Sequence, residues 1–396
     1  MSLRGLAILL LLAQSGAAVQ AVVQVGLETL EVDAGAPLAG KRLGLVVHAA
    51  SVTADGRHAV DVARALGLDV VRLFAPEHGL RGRAAAGERV DGGRDAASGL
   101  PVVSLYGERR KPSSQDLAGL DALVFDLQGA GVRFYTYVST LLLCLEAAAE
   151  ADVEFVVLDR PNPLGGERVE GPVAAPRDEV PESFLNMAPG PLVYGLTLGE
   201  MALYVNARRE RPARLTVVPM RGWRREMTWD DVGRPWVAPS PDLRSAEAAL
   251  AYPGTALLEA VNVSEGRGTE TPFLLFGAPW LDPRRIAVDA PGFELVPARF
   301  TPNDSKYLGE DCAGWRLRLR DAATAQPYRL GVALLAALSR QDGFEWIDGG
   351  AALTRLVGTP RLFAAITSGK SVDEIVAADA AGHDAWRVER QGALLY

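Results

Sequence analysis

Short apolar runs recur along the first 160 residues, and each of them stops at polar, ionisable, Gly or Pro residues. The stretches between the runs are long and apolar enough for helices that cross from one strand to the next. Strands that alternate with helices are typical of α/β proteins, so the pattern predicts a parallel sheet. The runs are Leu43–His48, Val70–Phe74, Ala122–Phe125 and Phe155–Leu158.

The residues that follow these runs carry most of the candidate chemistry. Parallel strands end at the same edge of a sheet, and the ligands of open α/β sheets bind beyond the carboxyl ends of the strands. Several ionisable side chains are therefore expected to meet at one edge and to form an active site. They are His48, Glu77, His78, Asp126, Asp159 and Arg160.

The length of 396 residues exceeds one ordinary hydrophobic core and predicts two domains. We place a larger α/β domain at residues 22–280 and a smaller α/β domain at residues 281–396. The predicted helices are Ala59–Leu66, Ser139–Ala151, Leu198–Asn206, Tyr328–Ser339 and Pro360–Ser368, and further strands are expected at Pro101–Tyr106 and Leu215–Met220.

Residues 1–21 have the pattern of a secretory signal peptide. Arg4 precedes the apolar run Leu6–Ala13, and small residues then offer cleavage after Ala17 or Ala21. A single membrane anchor is the alternative, although the run is shorter than a spanning helix. We expect an exported bacterial protein, periplasmic or secreted, without stable membrane insertion after cleavage.

Composition narrows the classes of partner and cofactor. A formal charge of −8 gives no support to nucleic-acid binding, which usually needs a basic face. The sequence has no CxxC or HExxH motif and its four histidines are scattered, so neither a metal site nor a cofactor is predicted. A cation held by Asp126 and Asp159 stays open as an alternative.

The chain has two cysteines, Cys144 and Cys312. Cys144 lies in the apolar run Leu141–Leu145, which predicts a buried free thiol. Pairing of the two cysteines is the alternative in an exported protein.

Glu77 is the strongest candidate for a catalytic residue. It lies in the turn Pro76–Gly79 directly after a strand, where a carboxylate beside His78 is well placed for general acid or base catalysis. The alternative is that Glu77 caps the next helix or pairs with Arg81. The Gly- and Arg-rich segment Ala84–Ser98 that follows predicts a flap over the site.

The segment Asp126–Gly131 ends in Gly129-x-Gly131, which invites a dinucleotide interpretation. Phe134 stands at the third glycine position, however, and the next helix is expected to begin only at about Ser139. A bound phosphate would therefore miss the helix N-terminus, so a nicotinamide-linked oxidoreductase is weakly supported.

Two further strand ends offer groups for sugar recognition. Arg133 has the fork geometry that binds an anion, and Tyr135 offers a flat face, although plain core packing is the alternative for the aromatic residue. In Asp159–Pro163, two prolines fix the direction of Arg160 and Asn162. The alternative there is a structural interaction between Asp159 and Arg160.

The polar segment Asn262–Glu270 places glycines beside Glu265 and Arg267, which suits backbone held close to a ligand, whereas a solvated loop is the alternative. A hydrolytic serine is poorly supported, because the sequence has no GxSxG motif. The candidate substrate-binding residues are Ser51, Gln128, Arg133, Tyr135, Asp159, Arg160, Asn162, Asn262, Glu265 and Arg267.

Together these motifs resemble one family, the NamZ-type exo-β-N-acetylmuramidases, which are bacterial glycoside hydrolases. The match keeps its order from about residue 23 to the end of the chain. The matching segments are Phe74–Gly82, Ser104–Gly107, Phe125–Gly129, Arg133–Tyr137, Asp159–Pro163, Val169–Pro172, Tyr194–Glu200, Pro239–Pro241, Asn262–Thr269 and Leu394–Tyr396.

The resemblance implies a Rossmann-like N-terminal domain, a smaller C-terminal α/β domain and an active site in the cleft between them. It also implies release of N-acetylmuramic acid (MurNAc) from the non-reducing end of peptidoglycan fragments, with MurNAc-GlcNAc saccharides as substrates. The family's proposed catalytic glutamate falls on Glu77 of this sequence.

On this basis we expect Glu77 to protonate the leaving glycosidic oxygen. A second group must assist the reaction. Asp126 could activate water or act as the nucleophile, or the 2-acetamido group of the sugar itself could assist. Arg133, Arg160 or Arg267 is expected to bind the lactyl carboxylate of the substrate. An exported sugar- or muropeptide-binding protein without catalytic activity is the alternative function.

Overall fold

The computed structural model describes residues 22–396, so the signal peptide predicted at residues 1–21 lies outside the described residues. The strands are β1 (Arg42–Val47), β2 (Asp69–Ala75), β3 (Gly93–Arg94), β4 (Pro101–Ser104), β5 (Ala122–Asp126), β6 (Glu154–Leu158), β7 (Glu170–Val173), β8 (Pro191–Val193), β9 (Leu215–Val218), β10 (Leu275–Ala278), β11 (Phe293–Phe300) and β12 (Cys312–Leu319). The α-helices are α1 (Gly26–Val32), α2 (Ala59–Ala65), α3 (Ser114–Leu117), α4 (Tyr137–Ala151), α5 (Leu198–Asn206), α6 (Trp229–Val232), α7 (Ala246–Thr255), α8 (Pro327–Leu338), α9 (Ala351–Val357), α10 (Arg361–Thr367), α11 (Val372–Ala380) and α12 (His383–Glu389).

A seven-stranded sheet in the order β3-β4-β2-β1-β5-β6-β9 forms the centre of the fold. All of its neighbouring pairs are parallel except β3 and β4. Val46 of β1 pairs with Phe74 on one side and Phe125 on the other, so the carboxyl ends of three strands are aligned. The predicted fold class is confirmed, and the predicted strands differ from the observed ones by at most two residues.

Both faces of this sheet are covered by helices, which explains why its strands read as nearly continuous apolar runs. Successive side chains of a strand point to opposite faces. Phe125 and Phe155 therefore pack on the side of α4 and α5, whereas Val124 and Val156 pack on the side of α1 and α2. The helix α4 begins two residues earlier than expected, at Tyr137.

The later part of the chain forms a three-stranded antiparallel sheet, β10-β12-β11, with helices α8 to α12. Helix α8 packs on α7, and one hydrophobic core continues from the central sheet into this part. The domain boundary at residue 280 stays a prediction.

Between residues 22 and 396, no helix combines the length and the apolar character needed to cross a membrane. Cys144 and Cys312 are both buried free thiols.

Arg133 connects three distant segments in the interior. Its side chain is fully buried, and its guanidinium donates hydrogen bonds to the carbonyl oxygens of Pro172, Gly190 and Val357. Pro172 lies in β7, Gly190 directly precedes β8, and Val357 is the last residue of α9. Strands β7 and β8 pair with each other in a two-stranded sheet. Burial lowers the pKa of Arg133 to about 10. The guanidinium therefore already has three backbone partners, and it holds their segments together.

Replacing Arg133 by Met should destabilise the protein, because the carbonyl groups lose their charged donor while most of the volume is kept. We expect the free energy of unfolding to fall by about 3 kcal/mol or more, as buried acceptors left unsatisfied cost ~1–3 kcal/mol each. Urea unfolding followed by circular dichroism measures the loss. The matched control is Arg214→Ala, an exposed arginine that donates to the Asp152 carbonyl. Equal stability of the two variants would contradict the role.

Candidate active site

A cavity of about 330 Å³ opens at the carboxyl edge of the central sheet. The turn after β2 and the segment before α4 contribute one part of its lining, and residues 240–273 contribute another. Two guanidiniums and three carboxylates line it, together with six aromatic rings. These residues are Arg110, Arg267, Glu77, Asp242, Glu259, Tyr106, Phe134, Tyr135, Phe184, Tyr252 and Phe273.

Glu77 reaches the cavity on a tight turn. The N–H of Gly79 donates to the Pro76 carbonyl at 3.0 Å, which closes the turn directly after β2. His78, at the third position, has a φ of +69°, a left-handed conformation that is costly for a residue with a side chain. Such strain persists only where the surroundings hold it, and it is common at functional sites.

The carboxylate of Glu77 is nearly buried and is held by groups from different segments. Thr136 Oγ1 donates to one oxygen at 2.6 Å, and the N–H of Gly87 donates to the other at 2.9 Å. The phenol of Tyr106 lies near the same carboxylate. In the described part of the chain no basic side chain forms an ion pair with Glu77. Its charge in the cavity is therefore balanced only by neutral donors.

Local sequence explains how these donors are placed. Thr136 is the N-cap residue of α4, but its hydroxyl makes no capping bond and instead binds Glu77. Gly87 lies in the segment Ala84–Ser98, whose Ala86 also lines the cavity, so this segment covers the site as expected. Burial and the nearby charge of Glu77 raise the pKa of Tyr106 to about 12, which keeps its phenol protonated as a donor.

His78 lines the cavity beside Glu77. Its Nδ1 lies 2.8 Å from the Ala84 carbonyl oxygen, so that nitrogen carries a proton and donates it. The bond connects the Glu77 turn to the covering segment. His78 thus positions the turn as well as facing the cavity.

Arg267, which lines the cavity, is the centre of an ion-pair cluster. It pairs with Asp242, with Glu259 at 2.9 Å and with Glu265 at 3.1 Å. Glu265 also binds Lys306 at 3.1 Å, and it does not line the cavity. Arg267 faces the cavity as predicted, but its guanidinium already has three carboxylate partners.

The polar residues at the ends of β5 and β6 form a buried structural network beneath the cavity. Arg160 donates to both carboxylate oxygens of Asp126, which is 1% exposed, and to the Val52 carbonyl. Ser51 donates to the backbone carbonyl of Asp126. Asp126, Arg160 and Ser51 meet as predicted, yet none of the three lines the cavity.

His48 and Gln128 belong to the same network. The N–H of Gln128 donates to His48 Nε2 at 3.0 Å, and Gln128 Nε2 donates to the Pro161 carbonyl at 2.8 Å. Burial, and then the positive charge of Arg160, lower the pKa of His48 well below its usual value. The imidazole is therefore neutral and serves as an acceptor that joins two strand ends.

Asp159 and Asn162 fix the loop after β6. Asp159 accepts hydrogen bonds from Thr197 Oγ1 at 2.7 Å and from the hydroxyl of Tyr396 at 2.9 Å. Asn162 Oδ1 accepts from the N–H of Leu164, and Nδ2 donates to the Leu196 carbonyl. Neither residue lines the cavity.

The Gly129-x-Gly131 pattern has a packing explanation. Gly131 has a φ of +73°, and a Cβ atom there would lie 2.1 Å from Asn162 Oδ1. The glycine thus permits a left-handed turn against the neighbouring loop. Among residues 22–396, His, Cys, Asp and Glu side chains do not gather in groups of three that could hold a metal ion.

Asn262 also has structural partners. Its Nδ2 donates to the Gly343 carbonyl at 2.7 Å, and its Oδ1 accepts from the N–H of Glu345 at 2.8 Å. Of the substrate-binding candidates, Tyr135 and Arg267 line the cavity. Tyr135 packs edge-on against Tyr137 and Tyr252, which places it within an aromatic wall.

Several residues of the site were not singled out in the sequence. Tyr106 and Thr136 lie inside segments that match the family, so their position was available although their role was not. Asp242 ends a Pro-rich turn, Pro239–Asp242, that holds its backbone rigid. Arg110 lies in a basic run that reads as a solvated surface, and Phe184 has no distinguishing local pattern.

Known proteins are similar to this chain in sequence and in architecture. A curated relative from Bacillus subtilis, the peptidoglycan β-N-acetylmuramidase NamZ, is 38% identical over 362 residues, covering 89% of this chain and 86% of the relative. Two crystal structures of DUF1343 family proteins from Bacteroides fragilis superimpose with TM-scores of 0.85 and 0.78 at 30% and 29% identity. They cover 94% and 95% of this chain and 99% of each neighbour.

The family models agree with these relatives. Residues 43–247 match the N-terminal model, and residues 250–396 match the C-terminal model, of the exo-β-N-acetylmuramidase NamZ. The two matches together span nearly all of the described chain and include every residue that lines the cavity. The chain therefore belongs to the NamZ family of exo-β-N-acetylmuramidases.

Proposed function

We propose that this chain is an exo-acting glycoside hydrolase that releases MurNAc from the non-reducing end of peptidoglycan fragments, with Glu77 as its general acid. The observation that carries the proposal is the carboxylate of Glu77, which faces a cavity and is held by neutral donors alone. A carboxylate has about four acceptor positions, so these two donors leave room for a proton that points to the substrate.

The shape of the cavity supports action on a single terminal sugar. Its volume of about 330 Å³ lies near the lower end of the range for small-molecule sites. Aromatic rings such as Tyr135, Tyr252 and Phe273 offer flat apolar faces to the carbon side of a sugar ring. A binding protein without catalytic activity would have no need of a strained turn that presents an unpaired carboxylate.

The second catalytic role falls to the 2-acetamido group of the substrate in this proposal. Asp126 is bound by Arg160 outside the cavity, and Asp242 and Glu259 both pair with Arg267. The acetamido oxygen attacks C1 while the bond from C1 to the leaving oxygen breaks, and Glu77 gives its proton to that oxygen. Water then attacks C1, the bond from C1 to the acetamido oxygen breaks, and the Glu77 carboxylate takes a proton from the water.

Glu77→Gln keeps the size and most hydrogen bonds of the side chain but removes the transferable proton. We expect kcat/KM on a MurNAc-GlcNAc disaccharide to fall about 10²–10⁴-fold, the usual contribution of a general acid. The loss should be smaller on an aryl β-N-acetylmuramide, because a phenolate leaves with little protonation. Both rates are measured together with the melting temperature.

The matched control is Glu88→Gln, on the covering segment, where the carboxylate accepts from the N–H of Ala85 and does not line the cavity. It should retain the activity of the unmodified protein. A Glu77→Gln variant that is equally active on the disaccharide would remove Glu77 from this role. An unmodified protein that binds muropeptides without cleaving them would instead support the binding-protein alternative.

Participation of the acetamido group predicts a dependence on its nucleophilicity. Replacing the N-acetyl group of the aryl muramide by fluoroacetyl, difluoroacetyl and trifluoroacetyl groups withdraws electrons from the attacking oxygen. We expect kcat/KM to fall at each step of this series. A flat series would show that an enzyme group or a water molecule attacks C1 directly, and would overturn this part of the mechanism.

We also propose that the protein is exported and acts in the periplasm or outside the cell. Arg4, the apolar run Leu6–Ala13 and the small residues that follow it support the proposal. Mass spectrometry of the protein from its bacterial host should find an N-terminus at Ala18 or Val22. A protein that retains Met1 and remains in the cytosol would contradict it.

A further inference from the structure

The basic run after β4 lies at the surface, and one of its three side chains also lines the cavity. Arg109 pairs with Asp116 at 3.0 Å, and Lys111 pairs with Glu146 and Glu150 on the surface of α4. Within residues 22–396, no carboxylate pairs with the guanidinium of Arg110, which lies between them in the sequence. Arg110 lines the cavity instead.

Two aromatic rings orient Arg110. The centre of its guanidinium lies 4.6 Å from the ring centroid of Phe184 and 5.6 Å from that of Tyr106. Contacts of this kind stabilise a cation without neutralising its charge or occupying its N–H donors. Tyr106 in turn contacts the Glu77 carboxylate. Arg110 is therefore a charged donor held beside the residue that acts on the glycosidic bond.

The other arginines considered for anion binding are committed elsewhere. Arg133 donates to three backbone carbonyls, and Arg160 is paired with Asp126 beneath the cavity. Arg267 faces the cavity but is paired with three carboxylates. A substrate carboxylate would have to displace one of these partners to bind Arg267, whereas Arg110 offers its donors directly.

We propose that Arg110 binds the carboxylate of the lactyl ether of MurNAc and selects this sugar over N-acetylglucosamine, which lacks that group. The inference rests on the proposed function and adds a specificity residue to it. A guanidinium can bind a carboxylate through two parallel N–H···O bonds, which fixes the orientation of the sugar as well as its charge.

The charges of the cavity explain why such a residue is needed. Asp242 and Glu259 line it even when Glu77 carries the proton of a general acid, so an anionic sugar without a new cationic partner meets like charge. Because Arg267 is already paired with Asp242 and Glu259, these two carboxylates largely neutralise its positive charge. Arg110 supplies the attraction that an uncharged sugar does not require.

The test compares variants of Arg110 on substrates that differ only in charge. One substrate is an aryl β-N-acetylmuramide, and the other is the same compound with its lactyl carboxylate converted to the methylamide. Arg110→Met should lower kcat/KM on the charged substrate about 10- to 100-fold, mainly through KM, as expected for loss of a charged hydrogen-bonded pair. On the methylamide the same variant should match the unmodified protein within about twofold. Arg110→Lys keeps the charge without the fork and should restore part of the loss.

Arg109→Met is the matched control, because it removes the neighbouring cation that pairs with Asp116 at the surface. It should behave as the unmodified protein on both substrates. Equal losses of Arg110→Met on the charged and neutral substrates would show that the side chain only packs, and would overturn the proposal. An Arg110→Met variant with full activity on the charged substrate would do the same.

A binding measurement separates this inference from the hydrolase proposal. Calorimetry in the Glu77→Gln background measures the affinity for free MurNAc and for N-acetylglucosamine without turnover. Arg110→Met should weaken the first by about 10-fold or more and leave the second unchanged. If the unmodified protein binds MurNAc but hydrolyses nothing, the hydrolase proposal fails while this result still decides on Arg110. Equal affinities of the two Arg110 forms for MurNAc would overturn the inference.

Discussion

The buried ion pair between Asp126 and Arg160 is the constraint on which the carboxyl edge of the sheet depends. Both side chains lie out of contact with water, and Arg160 also binds the Val52 carbonyl, so one guanidinium fixes the loops after three strands. Removing either partner of such a pair costs about 3–5 kcal/mol, because the other charge is left buried alone. The segment that leaves this edge carries Thr136, which holds Glu77. Stability of the edge and position of Glu77 are thus coupled through a pair that does not line the cavity.

The fold and the position of Glu77 at the edge of the sheet could be predicted from sequence because their patterns are local. The apolar run of each strand and the turn Pro76–Gly79 are each complete within a few residues. A strand that is buried on both faces has a nearly continuous apolar sequence, so such a run indicates a strand of this kind. The roles of the other strand-end residues are not local. Asp159 looks equally suited to a ligand or to a loop, and only the position of Thr197 and Tyr396 decides that it serves the loop.

Arg133 shows the same limit more sharply. Its acceptor carbonyls lie 39, 57 and 224 residues away in the sequence, and no property of its neighbours indicates them. An arginine among aromatic residues therefore gives the same local pattern whether it binds a sugar carboxylate or holds strands β7 and β8 to helix α9. Arg110 is the converse case, because a basic run at the surface gives no sign that its middle member also lines a cavity. Its direction depends on Phe184, which the chain supplies from a distant loop.

The two cavity-lining arginines illustrate how pairing decides function. Arg267 has three carboxylate partners, and these hold its wall of the cavity together while they consume its capacity to attract an anion. Arg110 is held by aromatic rings, which orient a guanidinium and leave its charge and donors available. Structural and recognition roles therefore follow from the partners of each guanidinium, although both face the same space. The cavity contains an acid, Glu77, and a cation, Arg110, and neither forms an ion pair in the described part of the chain. Such a cavity is suited to a substrate that has both a glycosidic bond to be protonated and a carboxylate to be bound.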